Sequence, residues 1–256
     1  MKSDTFSLLF KNWRYHTVGR CTVCGRVTFF FCRNIKNARD MMWCLFCGCS
    51  SRKRMVAKVI LDKFAPNVGS IRNLSQALTD TKIYNFDSTD EFTKFLLDSY
   101  PYYYCSELID NVPPGTELRE RVFCQDIQNL TFPDTLFDLV ITEEVFEHVR
   151  QYEKGFKEIY RVLKPRGYHI FTVPFNFDRP TIVRVDTSGE KDIHLLEPEY
   201  HGDAARGQIL AYRTFGIDIF DFLTSLGFET SVHLSDHYDK RFGIFDSAVF
   251  ASQKVR

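Results

Sequence analysis

The chain carries thirteen glycines but no G-x-G anywhere. The glycine-paired turn that lets backbone come close to a bound nucleotide is therefore missing. No apolar run approaches the ~20 residues that a bilayer span needs, which excludes a helical membrane protein on sequence grounds. The opening MKSDTFSLLFKNWRYH has a short apolar patch and no small-residue cleavage site, so it makes a poor secretory signal. An intracellular, cytoplasmic protein with no membrane partner is the expectation. No internal repeat or low-complexity tract occurs, so a repeat architecture is excluded as well.

Acid is scarce at one end. Residues 1–60 carry twelve Lys/Arg against two Asp/Glu, whereas residues 61–256 carry twenty-one against thirty-one. The formal net charge of zero conceals this division. Either a basic segment serves an anionic partner such as nucleic acid, or the two parts attract one another. With 256 residues, 44% hydrophobic and 26% charged, the chain has room for one large α/β domain over 61–256 and a small module over 1–60.

Six of the eight cysteines lie between Cys21 and Cys49. Cys21-Thr-Val-Cys24-Gly and Cys44-Leu-Phe-Cys47-Gly are two C-x-x-C pairs at the separation of a tetrahedral Cys₄ zinc site. Gly25 and Gly48 supply backbone freedom just past the second ligand of each pair. Val27–Cys32 (VTFFFC) is rich in strand formers and suits the strand of a zinc ribbon. So short a fragment cannot bury enough surface to fold unaided, so the metal would stabilise it. A closed Cys₄ site offers no open position, which makes the zinc structural. Cys49 is an alternative to Cys47 as fourth ligand, and Cys32 reads as packing. Ser50 can cap a helix reaching about Phe64, and the Arg52-Lys-Arg54 run at its start either meets phosphate or is solvated.

The rest of the chain alternates strands and helices. Lys82–Phe86, Tyr102–Glu107, Val122–Asp126, Phe137–Thr142, Tyr168–Val173, Thr230–Leu234 and Asp246–Ser252 read as strands. Asp90–Asp98, a helix bearing Phe156, Ile159, Val162 and Leu163 at 3.6-type spacing, and Asp218–Leu226 ending at Gly227 read as helices. An irregular stretch from Asn176 to Tyr212 carries His194 and His201. Tyr100–Tyr104 (YPYYY) fits a buried strand or a base-stacking surface.

From Cys124 the sequence runs CQDIQNLTFPDTLFDLVITEEVFEHVRQYEKGFKEIYRVLKPRGYHIFTVP. It resembles the second half of a class I S-adenosylmethionine-dependent methyltransferase, with an acidic residue after the third strand, an LxFPDxxFDLV run into the fourth and ExxRVLKPxG before the fifth. The resemblance implies a Rossmann-like seven-stranded α/β methyltransferase sheet with a small N-terminal zinc ribbon. It also implies S-adenosylmethionine as cofactor and a small-molecule or macromolecular methyl acceptor. By the same resemblance Asp126 would accept from the adenine amino group, with Ile127 beside it, and Glu107 would bind the ribose hydroxyls. Asp87, Thr142 and Glu143 would lie near the methionine part. His201, with Asp203, would take the proton of a hydroxyl or amine acceptor. The Glu147-His148 pair reads either as holding a helix start or as catalytic. The segment that should carry the glycine turn is Ile83-Tyr-Asn-Phe-Asp-Ser-Thr-Asp90, without glycine. Three readings follow: an active enzyme with a divergent turn, a degenerate methyltransferase-like binding or scaffolding protein, or a nucleic-acid-associated protein whose basic module holds RNA or DNA, with or without methyl transfer.

Overall fold

The structure, a computed structural model, describes residues 13–203, 207–235 and 237–255. The first twelve residues, including most of the poor signal sequence, lie outside the described residues. Among the described residues no helix is long and apolar enough to cross a membrane. Two compact units form, each from separate stretches of chain. One comprises 13–80, 89–101 and the described residues of 232–249, and the other 81–88, the described residues of 102–231, and 250–255.

The first unit holds a three-stranded antiparallel sheet of β1 (Thr17–Arg20), β2 (Val27–Cys32) and β3 (Met42–Cys44). Helix α1 (Ser51–Phe64) follows, and the Ser50 side chain accepts from the Lys53 amide at 3.2 Å, as the capping chemistry predicts. Of the basic residues at its start, Arg52 is partly exposed and paired with Asp40 at 2.8 Å, while the other two are neither solvated nor available to phosphate. Lys53 Nζ is buried 2.6 Å from Asp90, and Arg54 is fully buried. The unit also includes a hairpin of Tyr238–Asp239 with Ile244–Phe245, whose Phe245 amide donates to Ser51 Oγ.

The second unit is built on an eight-stranded sheet. Its strands are β4 (Ile83–Asn85), β5 (Tyr103–Glu107), β6 (Glu117–Arg119), β7 (Val122–Cys124), β8 (Phe137–Glu143), β9 (Leu163–Thr172), β10 (Phe228–Leu234, of which 228–231 fall in this unit) and β11 (Ala248–Lys254, of which 250–254 fall in this unit). The order is β10-β11-β9-β8-β4-β5-β7-β6. Strands β7, β5, β4, β8 and β9 run parallel, β11 is antiparallel to β9, and β6 adds an antiparallel edge beyond the seven strands expected. This is the Rossmann-like methyltransferase fold. The central strands read as continuous apolar runs because both faces are covered, and Ile83, Tyr84 and Leu139–Ile141 are all buried.

Helix α2 (Glu91–Leu96), in the first unit, is capped by Asp90, whose carboxylate accepts from the Thr93 amide at 2.7 Å. Helix α3 (Tyr152–Val162) buries Phe156, Ile159 and Val162. Leu163, expected as its last apolar position, instead opens β9 in extended conformation. Strand formation by the KPRG segment explains why the fifth strand starts five residues before Tyr168: Phe137 pairs with Leu163 before the register shifts. Gly155 allows close approach within this unit, since a Cβ there would stand 2.9 Å from the Phe146 ring. The stretch expected to be irregular is stitched by short antiparallel hairpins, among them Tyr200–Asp203 with Gly207–Leu210. Helix α4 (Ile219–Leu226) ends at Gly227 with φ 97°, as expected.

Candidate functional site

The four sulfurs of Cys21, Cys24, Cys44 and Cys47 lie within 4.8 Å of one another. Cys21–Cys47 and Cys24–Cys44 are both 3.8 Å apart. Four sulfurs bound at ~2.3 Å around a tetrahedral zinc sit about 3.8 Å apart, so the spacing fits that ion. Gly25 and Gly48 both take φ 78°, the left-handed turn a zinc knuckle uses. Hydrogen bonds from Cys21, Cys47 and Cys49 pull the Cys44 thiol well below its ordinary value, favouring a thiolate there. Cys49 Sγ is 3.5 Å from Cys21 but is also addressed by the Arg54 guanidinium at 3.8 Å. Cys32 is buried on β2, consistent with packing.

In the second unit the strand order reverses at β4, between β5 and β8, and a ligand crevice is expected at the carboxyl ends there. Glu107 ends β5 and its carbonyl accepts from the Gln125 amide at 3.1 Å, so Glu107 and Asp126 stand at adjoining strand ends. Asp126 Oδ1 also closes a local turn, accepting from the Gln128 amide at 2.9 Å. Ile127 is buried. Glu143 ends β8, and Glu144 after it turns left-handed with φ 52°. Thr142 is fully buried, and its hydroxyl lies 2.9 Å from His169 Nε2 inside the sheet. Asp87 is half-buried, and its carbonyl accepts from Asn85 Nδ2 at 3.2 Å. The same Asn85 nitrogen donates to the Tyr103 hydroxyl at 2.8 Å, so this side chain folds inward under the turn.

His201 is not a free loop histidine. Its Nε2 lies 3.1 Å from Glu199 Oε1 and its Nδ1 lies 3.1 Å from His148 Nε2. His148 Nδ1 is 2.8 Å from the Leu210 carbonyl. Glu147, fully buried, brings Oε1 to 3.6 Å from His148 and 3.9 Å from His201. Asp203 ends the same strand, and its side chain lies outside what the structure describes. Glu199 is the member of this group that the sequence does not single out. The Glu147-His148 adjacency was visible, but nothing local announces a partner 53 residues on.

Arg213 holds this loop. Its buried guanidinium donates to the carbonyls of Phe146, Val149 and Arg150, and stacks 4.5 Å from the Tyr152 ring centroid. The Tyr212 amide donates to the Glu147 carbonyl at 2.8 Å. Glu147 and His148 are thus fixed from both the side-chain and main-chain sides.

The strand order and the antiparallel β11 are those of a class I methyltransferase fold. A methyltransferase-domain family model matches residues 88–171, from the turn after β4 into β9, and supports that family for this segment. An uncharacterised protein of Methanocaldococcus jannaschii is 46% identical over 57 residues, which are 22% of this chain and 25% of that protein. The match thus spans a quarter of the length of that curated relative. A solved methyltransferase of Methanosarcina mazei, described as S-adenosylmethionine-dependent, is similar at 16% identity, covering 70% of this chain and 94% of that one with a TM-score of 0.42. The Burkholderia thailandensis 1,6-didemethyltoxoflavin-N1-methyltransferase, solved with S-adenosylhomocysteine, is 14% identical over 80% of this chain and 87% of its own, with a TM-score of 0.39. The fold assignment rests on this chain's own strand order.

Proposed function

We propose that this protein is an S-adenosylmethionine-dependent methyltransferase acting on an oxygen or nitrogen nucleophile. The observation that carries this reading is the pair of carboxylates, Glu107 and Asp126, at adjoining carboxyl ends next to the switch point. Two acceptor groups at that place fit a nucleoside, whose ribose hydroxyls and adenine amine are donors. Bound S-adenosylmethionine supplies an electrophilic methyl group on sulfonium sulfur. Asp126 accepts from the adenine amine and Ile127 presents an apolar side chain beside it. Glu107 accepts from the ribose. Asp87, Thr142 and Glu143 border the methionine end. The Glu147–His148–His201 group lies past the carboxyl end of β8, with His201 its most exposed member, and in-line positioning is the main demand of the chemistry.

Residues 1–60 contribute the structural zinc ligands Cys21, Cys24, Cys44 and Cys47 in this reading, and 61–256 the catalytic machinery. Lys53 and Arg54 are engaged inside the first unit, which removes two cations from those an anionic partner such as nucleic acid would meet.

Calorimetric titration of S-adenosylhomocysteine into the wild-type chain and Asp126→Asn tests the reading. Asparagine keeps the Oδ1 that caps the Gln128 turn but removes the anionic acceptor, so affinity falls by about 1–3 kcal/mol while the fold persists. No binding by the wild type would leave a methyltransferase-like scaffolding protein instead. Equal affinity in Asp126→Asn would place the adenine elsewhere.

A further inference from the structure

We propose that Glu147, His148 and His201 bind a divalent transition-metal ion of the zinc type, separate from the four-cysteine cluster. The Leu210 carbonyl can only accept, so His148 Nδ1 at 2.8 Å is its donor. The Glu199 carboxylate likewise accepts from His201 Nε2 at 3.1 Å. In neutral rings both remaining nitrogens, His148 Nε2 and His201 Nδ1, then carry bare lone pairs. These two face each other at 3.1 Å. Two lone pairs do not meet at hydrogen-bond distance without a cation between or beside them.

The third donor selects a metal over a shared proton. Glu147 Oε1 stands 3.6 Å from His148 Nε2 and 3.9 Å from His201 Nδ1, on a side chain with no solvent exposure. Two nitrogens bound at ~2.0–2.1 Å on a tetrahedral angle lie about 3.3 Å apart, close to what the rings show. A proton joins two acceptors along a line, whereas three acceptors grouped around one point suit an ion. Two imidazoles and one carboxylate form a set that zinc and its neighbours accept, and three protein ligands leave a position for an oxygen ligand such as water.

The outer partners are those a metal histidine has. One imidazole donates its other N–H to a backbone carbonyl, the other to a carboxylate, fixing tautomer and ring plane. Glu199 is in turn paired with Arg184, and Arg213 clamps the Phe146–Arg150 carbonyls that frame Glu147 and His148. All the named side chains belong to the second unit, so the site does not depend on the cysteine cluster. Nor does it depend on the methyl-transfer reading.

Equilibrium dialysis of the full chain against Co²⁺ tests this, with the cysteine cluster first loaded with zinc. Wild-type protein is expected to take up one Co²⁺ with weak ligand-field absorption and no intense sulfur-to-cobalt band. His201→Ala should lose that equivalent, because it removes a first ligand. The residue lies on a hairpin with 32% of its side chain exposed, and its metal-free melting temperature should match the wild type. Glu199→Gln should weaken binding roughly 10–100-fold, the effect of losing an outer partner. Equal Co²⁺ uptake by wild type and His201→Ala, or uptake showing only sulfur-ligand bands, would overturn the proposal. Absence of Co²⁺ uptake by wild type would overturn it too and leave a proton between the rings.

Discussion

Arg54 offers the sharpest test of how the first unit is held together. Its side chain is fully buried, and its donors go to main-chain oxygens instead of a carboxylate. Nε donates to the Phe242 carbonyl at 2.9 Å, Nη1 to Cys49 at 2.7 Å, and Nη2 to Met42 at 3.2 Å and to Gly243. The guanidinium also lies 4.2 Å over the Phe30 ring. Three stretches of chain, at Met42, Cys49 and Phe242–Gly243, thus meet on one cation. Arg54→Met keeps most of the hydrocarbon stem and removes every donor. Four buried carbonyls losing a partner at the low end of ~1–3 kcal/mol each gives about 4 kcal/mol, and relief of the buried charge offsets part of it. A net loss of about 3 kcal/mol in urea unfolding is expected, with lower zinc retention because Cys49 and Met42 flank the cysteine ligands. Arg54→Lys keeps the charge but not the planar fork, and should fall between the two. A loss below about 1 kcal/mol in Arg54→Met would mean the carbonyls find other partners and the reasoning is wrong.

Cys44→Ser should cost the protein close to one zinc per chain by elemental analysis and destabilise the first unit, since the metal's binding energy is folding energy there. Gly243→Ala should cost at least ~2 kcal/mol in thermal or urea unfolding, because φ is 59° and the new Cβ would run into the Phe30 ring that Arg54 covers. His169 supplies a pH test: burial lowers its pKa to about 3 from an unfolded value of 6.5, so it stays neutral in the fold. Its stability contribution is intact above pH 6.5 and is lost as pH falls from there toward 3, by about 2 kcal/mol at pH 5. His169→Gln, which can still reach Thr142, should flatten the pH dependence of unfolding between 6.5 and 4, and an unchanged slope would refute the assignment.

Much of the sheet was legible because its signals are local. Buried parallel strands such as FDLVIT announce themselves as apolar runs, and α3 by its apolar spacing. The cysteine pairs were legible for the same reason, with ligand spacing and trailing glycines together in a few residues. What escaped depends on distant parts of the chain. Nothing near Arg54 predicts that it ends beneath Phe242 and Gly243, so it read as a surface cation at a helix start. The short hairpins between Asn176 and Tyr212 pair two and four residues, too few for an alternation to show. His201 read as a lone loop base because its partner comes from an element 53 positions earlier. Local chemistry is written in the sequence; convergence of separate segments is not.

The glycine-free turn shows the limit of arguing from a missing residue. Glycine is wanted after the first strand because a side chain there would stand where backbone must approach the cofactor. At Asn85 the side chain instead turns inward, donating to the Tyr103 hydroxyl and to the Asp87 carbonyl two residues on. An amide that donates to a carbonyl of its own turn and to a neighbouring strand restrains the backbone path locally and keeps the side chain inside the sheet. The Phe86 amide still donates to the Ile141 carbonyl at 3.0 Å, so the β4–β8 ladder continues past Asn85. The absence of G-x-G is therefore no sufficient sign of lost function, because at this position the obstruction it predicts is redirected into the sheet. Cofactor binding turns on whether the residues after Asn85 keep the same restraint, and the titration with S-adenosylhomocysteine reads that directly.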